Sequence, residues 1–148
     1  MTSRDLKDYP TELSRISDVQ YLEVGAGLGE FIPFAAEQVC VKPVVIDPAN
    51  YHLMRRMLRE ALDFNLSYVI KDRINVVLKR CNTILDPSKV VLFNWTMEEA
   101  LIKHPELNGI ADVVVENWGP TLYDNSLDER VYSSIKKFAK PSGRVILG

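Results

Sequence analysis

The stretch Tyr21–Gly29, YLEVGAGLG, constrains this chain more than any other. Apolar residues run into an acid, Glu23, and three glycines follow on alternate positions, Gly25, Gly27 and Gly29. Glu30 to Glu37, EFIPFAAE, then reads as a helix over about 29–39, with Pro33 tolerated only in its first turn. The order is strand, tight turn, helix. Residues without a Cβ turn sharply and let a ligand approach the backbone. The helix start beyond them offers unpaired N–H groups to a polar ligand. The dinucleotide fingerprint is G-x-G-x-x-G, and here the third glycine comes one position early. That spacing, and the lack of a catalytic Tyr-Lys or His-Asp pair, argues against a nicotinamide dehydrogenase.

With its acid, EVGAGLG resembles the first motif of the class I S-adenosylmethionine-dependent methyltransferases, (D/E)-x-G-x-G-x-G. The resemblance implies that Gly25, Ala26, Gly27 and Gly29 lie under the methionine part of the cofactor, S-adenosyl-L-methionine. It also implies that Glu23 helps to hold the cofactor's amino group. A glycine turn in an unrelated α/β protein is the competing reading, so the rest of the chain has to agree.

Asp18 to Val24 is the first expected strand, and KPVVID, Lys42 to Asp47, the second. Its run Val44-Val45-Ile46 suits a parallel strand buried on both faces. Asp47 ends it, 18 residues after Gly29. One carboxylate there can accept hydrogen bonds from both ribose hydroxyls of a nucleotide. An Asp-Pro turn, with Pro48 next, is the alternative; the glycine loop at this distance favours ribose.

Asn50 to Leu62 is a helix with Leu53, Met54, Met57, Leu58, Ala61 and Leu62 on one apolar stripe. His52, Arg55, Arg56 and Arg59 lie off it. The arginines, like Lys79, Arg80, Lys136, Lys137 and Lys140 elsewhere, read as solvated helix faces, while His52, near Asp47 in sequence, can approach the cofactor edge. A second helix over about 67–85 carries Val69, Ile70, Ile74, Val77, Leu78, Cys81, Ile84 and Leu85. Two helices exceed what one crossover needs, so this one is an insertion packed on the sheet or over the pocket.

The third strand is Lys89 to Phe93, followed by Asn94 and Trp95. The family resemblance places residues here beside the adenine. Asn94 can donate and accept; Trp95 can lie against the purine or in the core. Thr96-Met97-Glu98-Glu99 fits a capping box opening a helix to about Lys103, and His104 reads as a surface residue. IADVVVE, Ile110 to Glu116, is the fourth strand. The resemblance places cofactor and substrate-facing groups at this strand's end. That makes Asn117 a cofactor candidate and Glu116, Trp118, Tyr123 and Asp124 candidates for the acceptor side; a turn at the surface is the alternative. Ser126 to Glu129, SLDE, fits a second capping box. KPSGRVIL, with a turn at Lys140–Gly143 and a fifth strand at Arg144–Leu147, resembles the family's K-P-G-G-x-hydrophobic segment.

Strands alternating with helices imply parallel pairing. The fold class expected is α/β, a Rossmann-like three-layer αβα sandwich with a mainly parallel sheet of order 3-2-1-4-5. It would comprise residues 18–148, with 1–17 as an N-terminal arm or short helix. Gly25, Asp47, Asn94 and Asn117 then share the carboxyl edge of the sheet, where such folds bind ligands. The family sheet continues with strands 6 and 7, which are lacking here. An apolar edge strand 5 calls for cover: the arm, a missing C-terminal segment, or a second subunit in a homodimer.

The 148 residues suit one domain. No run approaches the ~20 apolar residues that span a bilayer, and the polar start, MTSRDLKDYP, has no signal region. A cytoplasmic location follows as the expectation, without membrane contact. Cys40 and Cys81 read as reduced packing residues, and no metal cluster is visible. A net charge of −2 without a basic tract disfavours nucleic acid. The function expected is methyl transfer from S-adenosylmethionine to a small-molecule acceptor, with no catalytic residue identified. The alternative is a non-catalytic cofactor-binding or scaffold module.

Overall fold

The computed structural model describes residues 19–27, 31–38, 41–116 and 129–147. The elements, in order, are β1 Tyr21–Val24, α1 Ile32–Gln38, β2 Val44–Ile46, α2 Tyr51–Ala61, α3 Tyr68–Ile84 and β3 Val91–Phe93. They continue with α4 Met97–Lys103, a 3-10 turn Pro105–Leu107, β4 Ala111–Glu116, α5 Glu129–Lys136 and β5 Ala139–Leu147. The five strands form one sheet of order β3-β2-β1-β4-β5, and all four pairings are parallel. The order reverses between β1 and β4, which makes their carboxyl ends the switch point where such sheets take ligands.

Register divides the side chains between two layers. Leu22, Val44 and Val114 stand in register, and so do Val24, Ile46 and Glu116. In a parallel sheet residues in register share a face. This face packs on Met97 and Ala100 of α4 and on Val131 and Ile135 of α5. The other face carries Tyr21, Glu23, Val45 and Val115. It meets α1 through Ile32 and Ala35, and α3 through Cys81 and Ile84. Full burial of one such aliphatic side chain is worth about 1.5–3 kcal/mol, so the short strands are held mainly by what covers them.

The helix signals act as read. Asn50 caps α2 by accepting from Leu53 N at 2.9 Å, and Thr96 and Glu99 close a full capping box on α4. Pro33 falls in the first turn of α1. The apolar stripes of α2 and α3 are only partly used. Leu53 and Met57 are exposed on α2, and Val69 and Ile70 on the first turn of α3. Only Leu78, Cys81 and Ile84 of α3 are buried, because α3 meets the sheet layer with its second half alone. Cys81 is buried with a free thiol, and Cys40 lies outside the described residues. The 126–129 capping box also falls largely outside them.

Two expectations need correction. Lys140–Gly143 is not a free turn before the last strand but part of β5, which begins at Ala139. Ala111 pairs with Ala139 and Val113 with Arg144, so extra residues bulge out of β5 there. Gly143 allows the bulge: a Cβ on it would lie 2.8 Å from Ala111 O and 3.0 Å from Lys140 N. His104 is not a bare surface residue either. Its ring meets Phe93 edge-on at 4.6 Å, and Nδ1 lies 3.0 Å from Glu106 Oε1.

Lys140 Nζ donates to both Asp112 oxygens, at 2.8 and 2.9 Å, and Gln20 N donates to Oδ2 at 2.9 Å. These bonds tie the amino ends of β1, β4 and β5. The Lys140 hydrogen bond, then that from Gln20, holds the Asp112 carboxyl below its ordinary value of 3.8. An acid with a lowered folded pKa stabilises above the unfolded pKa and loses that stability as pH falls through the folded one. Asp112→Asn should therefore unfold at lower urea than wild type at neutral pH. The gap should close as pH drops through and below the ordinary aspartate range. Gly143→Ala should cost about 1–3 kcal/mol by overpacking in the same urea titration.

Candidate functional site

Asp47 joins three segments at the carboxyl edge. Its Oδ2 accepts from Gly27 N at 2.8 Å and from the Tyr51 hydroxyl at 3.1 Å, and its Oδ1 accepts from Ala49 N at 2.7 Å. Asp47 N donates to Phe93 O at 3.1 Å, and Gly25 N to Ile46 O at 2.9 Å. The loop after β1 and the residue after β2 thus extend the sheet by one step before the chain turns. Gly25 and Gly27 have φ of 69° and 51°, the left-handed region that costs other residues roughly 1–2 kcal/mol. The Ala49 bond is the Asp-Pro-type turn weighed against ribose binding, so the turn is present. A carboxylate offers about four lone-pair sites; among the described residues three are used, and one on Oδ1 has no donor.

Tyr51 is the residue the sequence reading missed. It opens α2, is 2% exposed, and directs its hydroxyl at Asp47. Burial first, then the Asp47 charge, pushes the phenol pKa far up, with a smaller push from Glu23. The hydroxyl is therefore a fixed donor. The available signal was position: Tyr51 is four residues past Asp47 and one past the cap Asn50.

Asn94 is brought to the site, as a brace. Its Nδ2 donates to Asp47 O at 2.7 Å and Ala49 O at 2.8 Å, holding the β2 turn against β3. Trp95 is 37% exposed, so it is no core residue. Lys103 Nζ sits 3.2 Å from its ring centroid, a cation–π contact. Glu23 and Glu116 are both fully buried. Glu23 shares its face with Val45 and Val115, beneath α1, while Glu116 shares its face with Val24 and Leu147, toward α4 and α5. Ala26 is buried against Ile32 and Tyr51. Gly29, Asn117, Trp118, Tyr123 and Asp124 lie outside the described residues.

No protein-family model and no curated protein matches the chain. Solved structures do. A methyltransferase from Thiobacillus denitrificans, in complex with S-adenosyl-L-homocysteine, superposes with a TM-score of 0.52 at 12% identity, over 99% of this chain and 48% of that one. The fold is that of the class I S-adenosylmethionine-dependent methyltransferases. A 16S rRNA (adenine(1408)-N(1))-methyltransferase from Catenulisporales acidiphilia gives 0.51 at 18% identity, over 95% and 60%. Precorrin 8W decarboxylase from Methanobacterium thermoautotrophicum gives 0.57 at 19%, over 99% and 63%. The chain thus spans roughly half to two thirds of the length of these structures. Among the described residues no helix is long and apolar enough to cross a membrane, and no three metal-ligating side chains gather.

Tyr51→Phe removes one donor from a buried carboxylate, and a hydrogen bond to a charged group is worth about 1.5–3 kcal/mol. The variant should lose about that much stability in urea unfolding, while Tyr68→Phe, on an 83% exposed residue, should lose almost none.

Proposed function

We propose that the chain is the cofactor-binding domain of an S-adenosylmethionine-dependent methyltransferase acting on a small-molecule acceptor. The observation that carries this is Asp47, tied at one carboxyl edge to the glycine loop, the start of α2 and, through Asn94, the end of β3. The donor set fits the cofactor. Asp47 keeps an acceptor site for the ribose hydroxyls, the positive-φ loop at Gly25 and Gly27 brings bare backbone to the edge, and Trp95 exposes an aromatic surface.

In this reading Glu23, Gly25, Ala26, Gly27 and Gly29 hold the methionine part, Asp47 the ribose, and Asn94, Trp95 and Asn117 border the adenine. The bound cofactor would supply a methyl group on sulfonium sulfur, a leaving group that needs no acid. The chain's part is then to align acceptor and methyl in line and keep water out. Glu116, Trp118, Tyr123 and Asp124 are assigned to the acceptor side. A base is needed only for an acceptor that is still protonated.

Titration calorimetry with S-adenosylmethionine and S-adenosylhomocysteine tests the reading. Wild type should bind both. Asp47→Asn, which weakens the one charge-assisted bond left for ribose, worth about 1.5–3 kcal/mol, should bind about 10-fold or more weakly. Folded wild type that binds neither ligand overturns the reading. Binding with no methyl transfer to any acceptor tried would make the chain a cofactor-binding module.

A further inference from the structure

Helix α2 and the turn that ends it carry a row of apolar side chains that stay exposed: Leu53, Met57 and Phe64. With Glu60 they follow one another at steps of four, three and four. That alternation is the 3.5-residue repeat of helices that pair along a seam. At about 100° per residue the four fall within about 60° of one another. Phe64 keeps to the row because the turn continues the helix, with Phe64 N donating to Ala61 O at 3.3 Å. The row stands apart from Met54 and Leu58, by which α2 packs on the core. A surface helix needs one apolar stripe to hold its place; α2 has a second that its fold leaves unused.

The charges beside the row select its occupant. Arg56 and Asp63 lie on one flank of it, seven residues apart, and both are exposed. Two helical turns, about 10 Å, separate them, too far for a pair within one helix. A second copy of α2 laid antiparallel sets Leu53 against Phe64 and Met57 against Glu60. The two-fold axis between such helices brings each flank against the same flank of the other copy. Arg56 of each copy then faces Asp63 of the other, twice over. Glu60, already 3.7 Å from its own Arg56 Nε, keeps a cation beside it. A parallel pair would instead turn this flank toward Met54, which the core occupies.

We propose that the exposed row of α2 is a self-association surface, on which a second copy of this chain docks its own α2 antiparallel. The seam is short, since eleven helical residues span about 16 Å. It makes a weak, concentration-dependent pair, not a permanent dimer. It is a different surface from the edge of β5, which lies three strand positions from β2. It is also independent of the methyl-transfer reading.

Sedimentation equilibrium of the full chain, from micromolar to near-millimolar concentration, tests this. The mass should rise from monomer toward dimer. Met57→Glu should weaken association at least about tenfold by placing a charge in the seam. Ile102→Glu, on an exposed residue of α4, should leave it unchanged. Arg56→Glu and Asp63→Arg should each weaken it at least about tenfold, because like charges then face each other. Mixed together, these two variants should associate to within about threefold of wild type, since every facing pair is again of opposite sign. Recovery in the mixture also shows that both variants are folded. The proposal is overturned by a monomer across the whole range, by an equal loss in Ile102→Glu, or by charge variants that stay apart when mixed. Association that survives Met57→Glu overturns it too, and would turn attention to the β5 edge.

Discussion

The Asp47 carboxylate is the point on which the carboxyl edge depends. Strand β2 is three residues long and would end in a frayed turn by itself. Asp47 instead gathers the Gly27 N–H, the Ala49 N–H and the Tyr51 hydroxyl. These donors come from the loop after β1, the turn after β2 and the first turn of α2. Each is a group that burial would otherwise leave costly. Asn94 adds β3 through the main-chain carbonyls of Asp47 and Ala49. Three strand ends are therefore set against one another by the protein's own hydrogen bonds.

The opposite edge is held differently. There Asp112 joins Gln20 and Lys140, and the β5 bulge at Gly143 lets the strand regain register with β4. This edge faces away from the glycine loop and serves the sheet. The two buried glutamates belong to the ligand edge but to different layers, Glu23 under α1 and Glu116 toward α4 and α5. A sheet that separates two acids in this way gives each its own surroundings.

The α2–α3 pair shows how much surface a connection can offer once the sheet is covered. Only α2 begins at the site, and α3 packs by Leu78, Cys81 and Ile84. What remains is outward: a basic stripe on α2, and apolar side chains at Leu53, Met57, Val69 and Ile70. An apolar periodicity sets which face a helix can bury. It does not set how much of that face a neighbour reaches.

The sequence by itself determined the order of elements, the parallel sheet 3-2-1-4-5, the caps at Asn50 and Thr96, and the shared edge of Gly25, Asp47 and Asn94. These follow from local chemistry: glycine spacing, buried β-branched runs, capping side chains and acids at strand ends. Tertiary structure alone decided that Tyr51 locks Asp47, that Asn94 braces main-chain carbonyls, that Trp95 lies under Lys103, and that Lys140–Gly143 belongs to β5. Asn94 depends on a partner 47 residues away and Lys140–Gly143 on the register between two strands. Tyr51 and Trp95 meet partners nearby in sequence, whose approach only the folded turn and helix set. Periodicity within one segment carries no information about the element that will face it.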